Sequence, residues 1–182
     1  MKNKIVAIVG MCGTGKSVVT DTFVENGWLK EYFGKITMDE LAERKLEVNP
    51  ENEKTVREDL RKKLGPDAYA KKLLPIIQDD VKKSNTVLDG LYSWSEYKYL
   101  IENLDPEDFI VLAIITNRNK RYERLTERPV RPLSKEQAIG RDYAEIENLE
   151  KGGPIAMADY FIVNNGSEKE LKEAVQDFIS NI

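Results

Sequence analysis

The segment Gly10–Ser17, which reads GMCGTGKS, decides the fold of this chain. It matches the pattern G-x-x-x-x-G-K-[ST], follows the apolar run Ile5–Val9, and precedes an amphipathic stretch over residues 17–26. A strand, a glycine-rich turn and a helix start form the context in which this pattern binds a nucleoside triphosphate. The backbone N–H groups of the turn and the positive end of the helix would then face one phosphate chain.

The same stretch predicts the residues that contact ATP and Mg²⁺. The contacts expected from the turn and the helix start are Gly10, Gly13, Thr14, Gly15, Lys16, Ser17 and Val18. Lys16 would reach the β- and γ-phosphates, and the Ser17 hydroxyl would ligate Mg²⁺. Asp89 ends a second apolar run, so it is the predicted second Mg²⁺ ligand, lying next to the acceptor.

Composition limits the function classes. The chain has 182 residues, which predicts a single domain over 1–182. Its net charge of −4 argues against a general nucleic-acid or membrane-surface binder, and it contains no histidine for acid–base or zinc chemistry. The single cysteine, Cys12, gives no disulfide framework and is typical of a reducing cytoplasm. No apolar run reaches membrane-spanning length, and no signal peptide is recognisable.

Apolar runs alternate with helical patterns along the chain. Predicted strands lie at 5–9, 36–38, 86–88, 109–115 and 160–163. Predicted helices lie at 16–26, 39–47, 51–64, 67–83, 94–103, 118–128, 135–150 and 168–181. This alternation predicts an α/β fold with a five-stranded parallel sheet flanked by helices, and Pro75 should kink or split its helix. Residues 39–83 would form a helical substrate-binding insertion, and residues 118–158 would form a lid.

Residues 118–131 are strongly basic in an acidic chain. Six cations face only two acids there, which gives a local charge of +4. Arg121, Arg124, Arg128 and Arg131 recur at helical spacing on one side. Such a cluster repels itself unless an anion lies among the charges, and guanidinium groups suit phosphoryl oxygens. The segment therefore predicts phosphate binding by some of these arginines.

Other charged residues have two open interpretations. Arg44 and Arg57 can pair with acids four residues earlier, or together with Arg61 they can hold the anionic group of a second substrate. Asp39 is either an acid at a helix start or a carboxylate that accepts a proton from an attacking hydroxyl. Arg141 is either a lid arginine oriented by neighbouring Asp142 or part of a surface pair. The aromatic residues after Asp89 favour packing over base stacking; they are Tyr92, Trp94, Tyr97 and Tyr99.

Taken together, these residues resemble the nucleoside-monophosphate-kinase-like branch of P-loop proteins. Within it, the chain is similar to dephospho-CoA kinases and to a family of nucleotide-kinase-like proteins of unassigned activity. The stretches that carry the resemblance are Gly10–Ser17, Met38–Ala42, Arg124–Arg128 and Ala158–Ser167. The segment Gly65–Lys71 and the pair Arg141–Asp142 resemble the second of these families more closely.

The resemblance implies roles for individual residues. Asp39 would be the base, Arg124 and Arg128 would be lid arginines acting on the transferring group, and Asn164, Asn165 and Gly166 would flank the adenine. Two features depart from the relatives. Residues 89–93 lack the proline and arginine of D-G-[FY]-P-R, and Arg44 lies one residue later than in dephospho-CoA kinases.

The sequence therefore predicts an ATP-dependent kinase that transfers the γ-phosphoryl group to a small nucleotide-like acceptor, as dephospho-CoA kinase does. The alternatives are a nucleoside monophosphate kinase and a regulatory P-loop ATPase. A GTPase switch is disfavoured because Asn119-Lys120-Arg121-Tyr122 lacks the aspartate of N-K-x-D. We expect a cytoplasmic monomer or homodimer whose partners are small molecules, without nucleic acid or membrane.

Overall fold

A parallel sheet of five strands crosses the described part of the chain, residues 2–182 of a computed structural model. Its strands are β1 (Ile5–Val9), β2 (Leu29–Tyr32), β3 (Thr86–Asp89), β4 (Phe109–Ile115) and β5 (Tyr160–Val163). They lie in the order β2-β3-β1-β4-β5, and every neighbouring pair is parallel. In this register Ile8 lies beside Asp89 and Leu112, so the carboxyl ends of the central strands meet at one edge.

Residues 2–182 form nine helices. They are α1 (Lys16–Glu25), α2 (Lys35–Glu43), α3 (Pro50–Leu64), α4 (Ala68–Asp80), α5 (Trp94–Asn103), α6 (Arg118–Glu127), α7 (Lys135–Leu149), α8 (Gly152–Ala156) and α9 (Glu168–Asn181). Capping boxes at Ser93, Ser134 and Ser167 begin α5, α7 and α9, because each serine and the acid or amide three residues later satisfy each other's free N–H groups. The predicted fold class is confirmed.

Two hydrophobic cores lie on opposite faces of the sheet. One packs β1, β3 and β4 against α2 to α5, with Leu73, Leu88 and Leu100 fully buried. The other packs the opposite side chains of the same strands against α1 and α9, around Phe23 and Leu171. Because both faces are covered, the central strands β1 and β4 are apolar along their whole length, as is typical of parallel sheets.

The second strand is not where the sequence pattern places it. The prediction of a strand at 36–38 is wrong, because these residues lie in α2 and the strand is Leu29–Tyr32. A three-residue apolar run is too short to separate strand from helix. Pairing with β3 from Leu29 onward selects the earlier segment, whose polar Lys30 and Glu31 are tolerated at the edge of the sheet.

Two further details differ from the sequence pattern. Helix α4 does not split at Pro75, because Leu74 and Ile77 on either side are both buried in the core and this packing outweighs a lost hydrogen bond. The short helix α8 was not predicted, since Gly152-Gly153-Pro154 is a turn signal when read alone.

Candidate active site

The turn between β1 and α1 has the backbone that a phosphate-binding loop needs. Gly10, Gly13 and Gly15 all adopt positive φ, which L side chains rarely adopt. A Cβ on Gly13 would lie 2.9 Å from the carbonyl oxygen of Arg121, so the loop also packs closely against α6. The N–H groups at the start of α1 thus face the space above the sheet edge.

Lys16 is folded back over this loop. Its Nζ donates to the carbonyl oxygens of Gly10, at 2.8 Å, and Met11, at 2.9 Å. Desolvation, together with the nearby ammonium of Lys151, lowers the pKa of Lys16 to about 8. The ammonium is therefore held in place by acceptors that a phosphate oxygen can replace.

A cavity of about 750 Å³ opens beside the loop, and we call it the loop cavity. Its walls include the predicted ATP contacts Gly13, Gly15, Lys16, Ser17, Val18, Arg124, Asn164 and Gly166. Gly10 and Thr14 do not line it; they contact each other closely and shape the loop, where the Thr14 hydroxyl donates to the Met11 carbonyl. Asn165 does not line the cavity, because its side chain accepts from the backbone N–H of Asn117.

Ser17 and Asp89, the predicted Mg²⁺ ligands, both line the loop cavity. The Ser17 side chain is exposed, and the Asp89 side chain, which is 17% exposed, lies 3.2 Å from the ammonium of Lys30. A hydroxyl and a carboxylate are hard oxygen donors, and Mg²⁺ in phosphoryl-transfer sites takes its other ligands from phosphates and water. Residues 2–182 contain no cluster of three or more metal-binding side chains. The donor set fits an ion that arrives with a nucleotide.

Arg124 closes the side of the loop cavity formed by the turn after β5. Its guanidinium donates to the carbonyl oxygens of Asn164 and Gly166, both at 3.0 Å. Asn164 is buried and donates its amide to the Thr14 carbonyl at 2.8 Å. The turn, α6 and the loop are therefore tied together, and Arg124 forms a fixed wall of the cavity.

The arginines of α6 separate into two groups. Arg121 is buried and makes a bidentate pair with Asp142, at 2.9 and 2.6 Å, and it also donates to the Cys12 carbonyl. The interpretation of Asp142 as the partner of Arg141 is therefore wrong. Arg128 and Lys120 line the loop cavity, and among residues 2–182 neither has a carboxylate partner within 4 Å. Of the predicted stripe, Arg121 is thus structural, whereas Arg124 and Arg128 line the loop cavity.

A second cavity, of about 730 Å³, lies next to the first, and we call it the arginine cavity. Four guanidinium groups line it: those of Arg57, Arg61, Arg131 and Arg141. Arg57 pairs with Glu53 and Arg141 with Glu145, whereas Arg61 lies 5.2 Å from the centre of the Tyr69 ring. The side chains of Arg61 and Arg131 have no carboxylate within 4 Å in the described part of the chain, so the cavity suits an anion.

Tyr32 and Tyr92 line both cavities and form the partition between them. Burial raises the pKa of Tyr92, and the Asp89 carboxylate raises it further, so the phenol stays neutral. The sequence favoured packing over base stacking for Tyr92 and pointed to no role for Tyr32. Tyr92 follows Asp89-Gly90, and Gly90 adopts a φ of +105°, a turn that brings the Tyr92 ring against it.

Glu96 is another site residue that the sequence did not reveal. It reads as the acid of a capping box, and its Oε2 does accept from the N–H groups of Tyr92 and Ser93. The structure also places it in the wall of the arginine cavity, almost fully buried. Burial raises the pKa of the Glu96 carboxyl although the guanidinium of Arg61 opposes this shift.

Two predicted substrate residues lie away from both cavities. Asp39 does not open a helix after a strand; it is exposed in the middle of α2. Arg44 is held by Glu40 at 2.9 Å and by Asp59 at 2.7 Å. The prediction for Asp39 depended on a strand at 36–38, and with β2 at residues 29–32 this residue falls inside α2. For Arg44 the structure shows the other interpretation, the pair with the acid four residues earlier. In the described residues, no helix is both long enough and apolar enough to cross a membrane.

Comparison with solved structures identifies the fold. Shikimate kinase from Bacteroides thetaiotaomicron aligns with a TM-score of 0.59 and 9% identity, over 97% of this chain and 98% of that chain. Dephospho-CoA kinase from Campylobacter jejuni aligns with a TM-score of 0.55 and 18% identity, over 99% of this chain and 97% of that chain. At such low identity the likeness shows the fold alone, and it confirms the predicted α/β P-loop fold with a five-stranded parallel sheet.

Sequence comparison identifies the family. No family model matches the chain. A UPF0200 protein of Thermococcus kodakarensis is 36% identical over 185 residues, an alignment that covers 98% of this chain and 100% of the relative. A UPF0200 protein of Pyrococcus abyssi is 33% identical over 181 residues, covering 98% of this chain and 96% of the relative. Because these alignments extend over nearly the whole length of the chain at such identity, the chain belongs to the UPF0200 family.

Proposed function

We propose that this protein is an ATP-dependent phosphotransferase that transfers the γ-phosphoryl group to a small, anionic, nucleotide-like acceptor. One observation carries the proposal: a phosphate-loop cavity and an arginine-lined cavity adjoin at Tyr32 and Tyr92. A kinase needs two such compartments with a shared boundary, because the phosphoryl group must pass directly from donor to acceptor. A regulatory ATPase would leave the second compartment unexplained.

The loop cavity would hold ATP. Lys16 would exchange its bonds to the Gly10 and Met11 carbonyls for bonds to phosphate oxygens, and Arg128 and Lys120 would add positive charge from α6. Ser17 and Asp89 would hold Mg²⁺, which neutralises charge on the phosphates when it is bound. Arg124, Asn164 and Gly166 would form the wall beside the base. The acceptor oxygen then bonds to the γ-phosphorus while the bond to ADP breaks.

The arginine cavity would hold the acceptor. Its lining includes Lys54 and four arginines against three glutamates, so an empty cavity carries excess positive charge. Arg61 and Arg131 are free to bind phosphate or carboxylate oxygens in a forked geometry. The charge of the cavity therefore supports an acceptor with at least one phosphate or carboxylate.

A nucleoside monophosphate fits this cavity better than an alcohol does. The base predicted for a hydroxyl acceptor, Asp39, lies outside both cavities, and an ionised phosphate needs no base. Transfer to a hydroxyl, as in dephospho-CoA kinase, is the second candidate, and Glu96 favours it. This carboxyl lies in the arginine cavity with a raised pKa, as a general base requires.

The test is release of ADP from MgATP across a panel of acceptors: nucleoside and deoxynucleoside monophosphates, dephospho-CoA, and no acceptor. We expect strong stimulation by one acceptor and a loss of about a hundredfold or more in Lys16→Ala. Hydrolysis that no acceptor changes would overturn the kinase assignment and favour a regulatory ATPase. GTP in place of ATP tests the donor.

Glu96→Gln separates the two acceptor classes, because glutamine preserves the capping box. With a monophosphate acceptor, the substitution should leave the pH dependence of kcat unchanged. With a hydroxyl acceptor, it should remove the acidic limb of the profile.

We also propose that the protein acts in the cytoplasm as a monomer or homodimer.

A further inference from the structure

A buried lysine lies behind the partition between the two cavities. Lys151 is only 2% exposed and follows the end of α7. Its Nζ is 2.7 Å from Glu145 Oε2 and 4.8 Å from the centre of the Tyr92 ring. An ammonium taken out of water needs partners to offset its lost hydration, and these two contacts supply them.

Glu145 connects this lysine to the arginine cavity. Its second oxygen, Oε1, accepts from Arg141 Nε at 3.1 Å, so one carboxylate bridges Lys151 and Arg141. Burial would raise the pKa of the Glu145 carboxyl, but Lys151 and Arg141 together hold it below its ordinary value. Both Glu145 and Arg141 line the arginine cavity, whereas Lys151 does not. The lysine therefore acts on that cavity only through its neighbours.

The backbone of Lys151 is held in place as well as its side chain. Its N–H donates to the Glu145 carbonyl oxygen at 3.2 Å, which closes the C-terminal turn of α7. A Cβ on Gly153 would lie 2.6 Å from Trp94 Cε3, so α8 approaches α5 closely at this glycine. The chain Lys151–Glu145–Arg141 is thus anchored at the end that lies away from the cavity.

We propose that Lys151 is a positioning residue for the acceptor, orienting the Arg141 guanidinium through Glu145 and holding the partition residue Tyr92 in place. The inference rests on the proposed function for the arginine cavity. A lysine with a merely structural role at a helix C-terminus would stabilise the fold without acting selectively on one substrate. The two roles therefore predict different kinetics.

The kinetic test is a double-mutant cycle with the acceptor found in the panel. At pH 7, where Lys16 is mostly protonated with or without the nearby Lys151 ammonium, Lys151→Met should raise the acceptor KM by about tenfold to a hundredfold, as expected for a misplaced binding group. Under these conditions it should change the ATP KM by less than about threefold. Arg141→Gln should raise the acceptor KM similarly. Adding Lys151→Met to Arg141→Gln should have little further effect, because the two residues act in one chain.

The proposal would be overturned if the increases in acceptor KM caused by the two single substitutions multiplied in the double variant. Equal changes in the KM for ATP and in the KM for the acceptor would also overturn it. If Lys151→Met does not fold, Glu145→Gln breaks the same chain with little change of shape and carries the same expectation. The matched control is Lys71→Met, which removes a lysine from an ion pair with Asp67 outside both cavities. It should leave both KM values unchanged.

A measurement without acceptor separates failure of this inference from failure of the proposed function. In ¹⁵N NMR spectra of the whole protein, the Arg141 Nε–H proton should exchange with water about tenfold faster in Lys151→Met than in the wild type. The Arg121 guanidinium, bound to Asp142, serves as the internal reference and should not change. Unchanged Arg141 exchange would overturn the positioning role, whatever the acceptor panel shows.

Discussion

The loop cavity and the arginine cavity have nearly the same volume but are built differently. The phosphate-binding part of the loop cavity comes from one short segment, residues 13–18, and the other walls come from α6, α9, the ends of β2 and β3, and the turns after β3 and β5. The arginine cavity draws side chains from β2, α2, α3, α4, α5 and α7. A locally built site fixes what it binds through backbone geometry. A site assembled from many elements can change its ligand by substituting single side chains.

The two cavities also use arginine differently. In the loop cavity the Arg124 guanidinium donates hydrogen bonds to backbone carbonyl oxygens and shapes the wall. In the arginine cavity Arg61 keeps its hydrogen-bond donors free while it stacks on Tyr69. Arg121 belongs to neither cavity and joins the loop to α7, which walls the second cavity. Substituting Arg121, or single residues that line one cavity, tests whether the two cavities act separately.

The largest effect is expected from Arg121→Met. The substitution leaves Asp142 buried without its partner, which costs about 3–5 kcal/mol of unfolding free energy. Urea denaturation of the wild type and variant measures the loss. Replacing both partners, as in Arg121→Met with Asp142→Leu, should recover much of it, because no unpaired charge remains. A double variant as unstable as the single one would contradict this account.

A smaller effect, confined to one cavity, is expected from Arg61→Gln. Loss of a charged hydrogen bond to the acceptor should cost about 1.5–3 kcal/mol of binding, seen as a higher acceptor KM. The ATP KM should stay within about twofold. Arg44→Gln is the matched control, since Arg44 is bound by Glu40 and Asp59 outside both cavities. If the two substitutions raised the acceptor KM equally, Arg61 would not be a residue that binds the acceptor.

A pH effect on ATP binding should arise in the loop cavity. The pKa of free Lys16 is lowered to about 8, and bound phosphates should raise it, so binding of MgATP takes up a proton above this pH. Affinity should therefore be greatest below pH 8 and fall by at most about tenfold per pH unit above it. Calorimetry in buffers of different ionisation enthalpy measures the uptake. Lys16→Met should abolish it, and an uptake that persists in this variant would assign the proton to another group.

The smallest effect is expected from Asp39→Asn. Because Asp39 is exposed and lines neither cavity, its substitution should change kcat and both KM values by less than about twofold. A loss of a hundredfold in kcat would restore Asp39 as the base and favour a hydroxyl acceptor. Steady-state kinetics with the acceptor found in the panel decides between these outcomes.

Local signals predicted much of the fold correctly. Four of the five predicted strands became β1, β3, β4 and β5, and the serine capping boxes began α5, α7 and α9. These signals work because helix caps and buried parallel strands depend on residues close together in the chain. The edge strand β2 gave no such signal, since Lys30 and Glu31 interrupt its apolar pattern.

The sequence by itself determined the phosphate loop, its lysine and the fold that presents them, because one contiguous motif sets that backbone. Only the tertiary structure decided which arginines are free. It paired Arg121 with Asp142, placed Asp39 and Arg44 outside the site, and brought Tyr32 and Tyr92 together between two cavities. Arg44 and Arg57 do pair with acids four residues earlier, as the spacing allowed. The pairing of Arg121 with Asp142, 21 residues away, and the open state of Arg61 depend on how distant segments pack, and no local pattern records them.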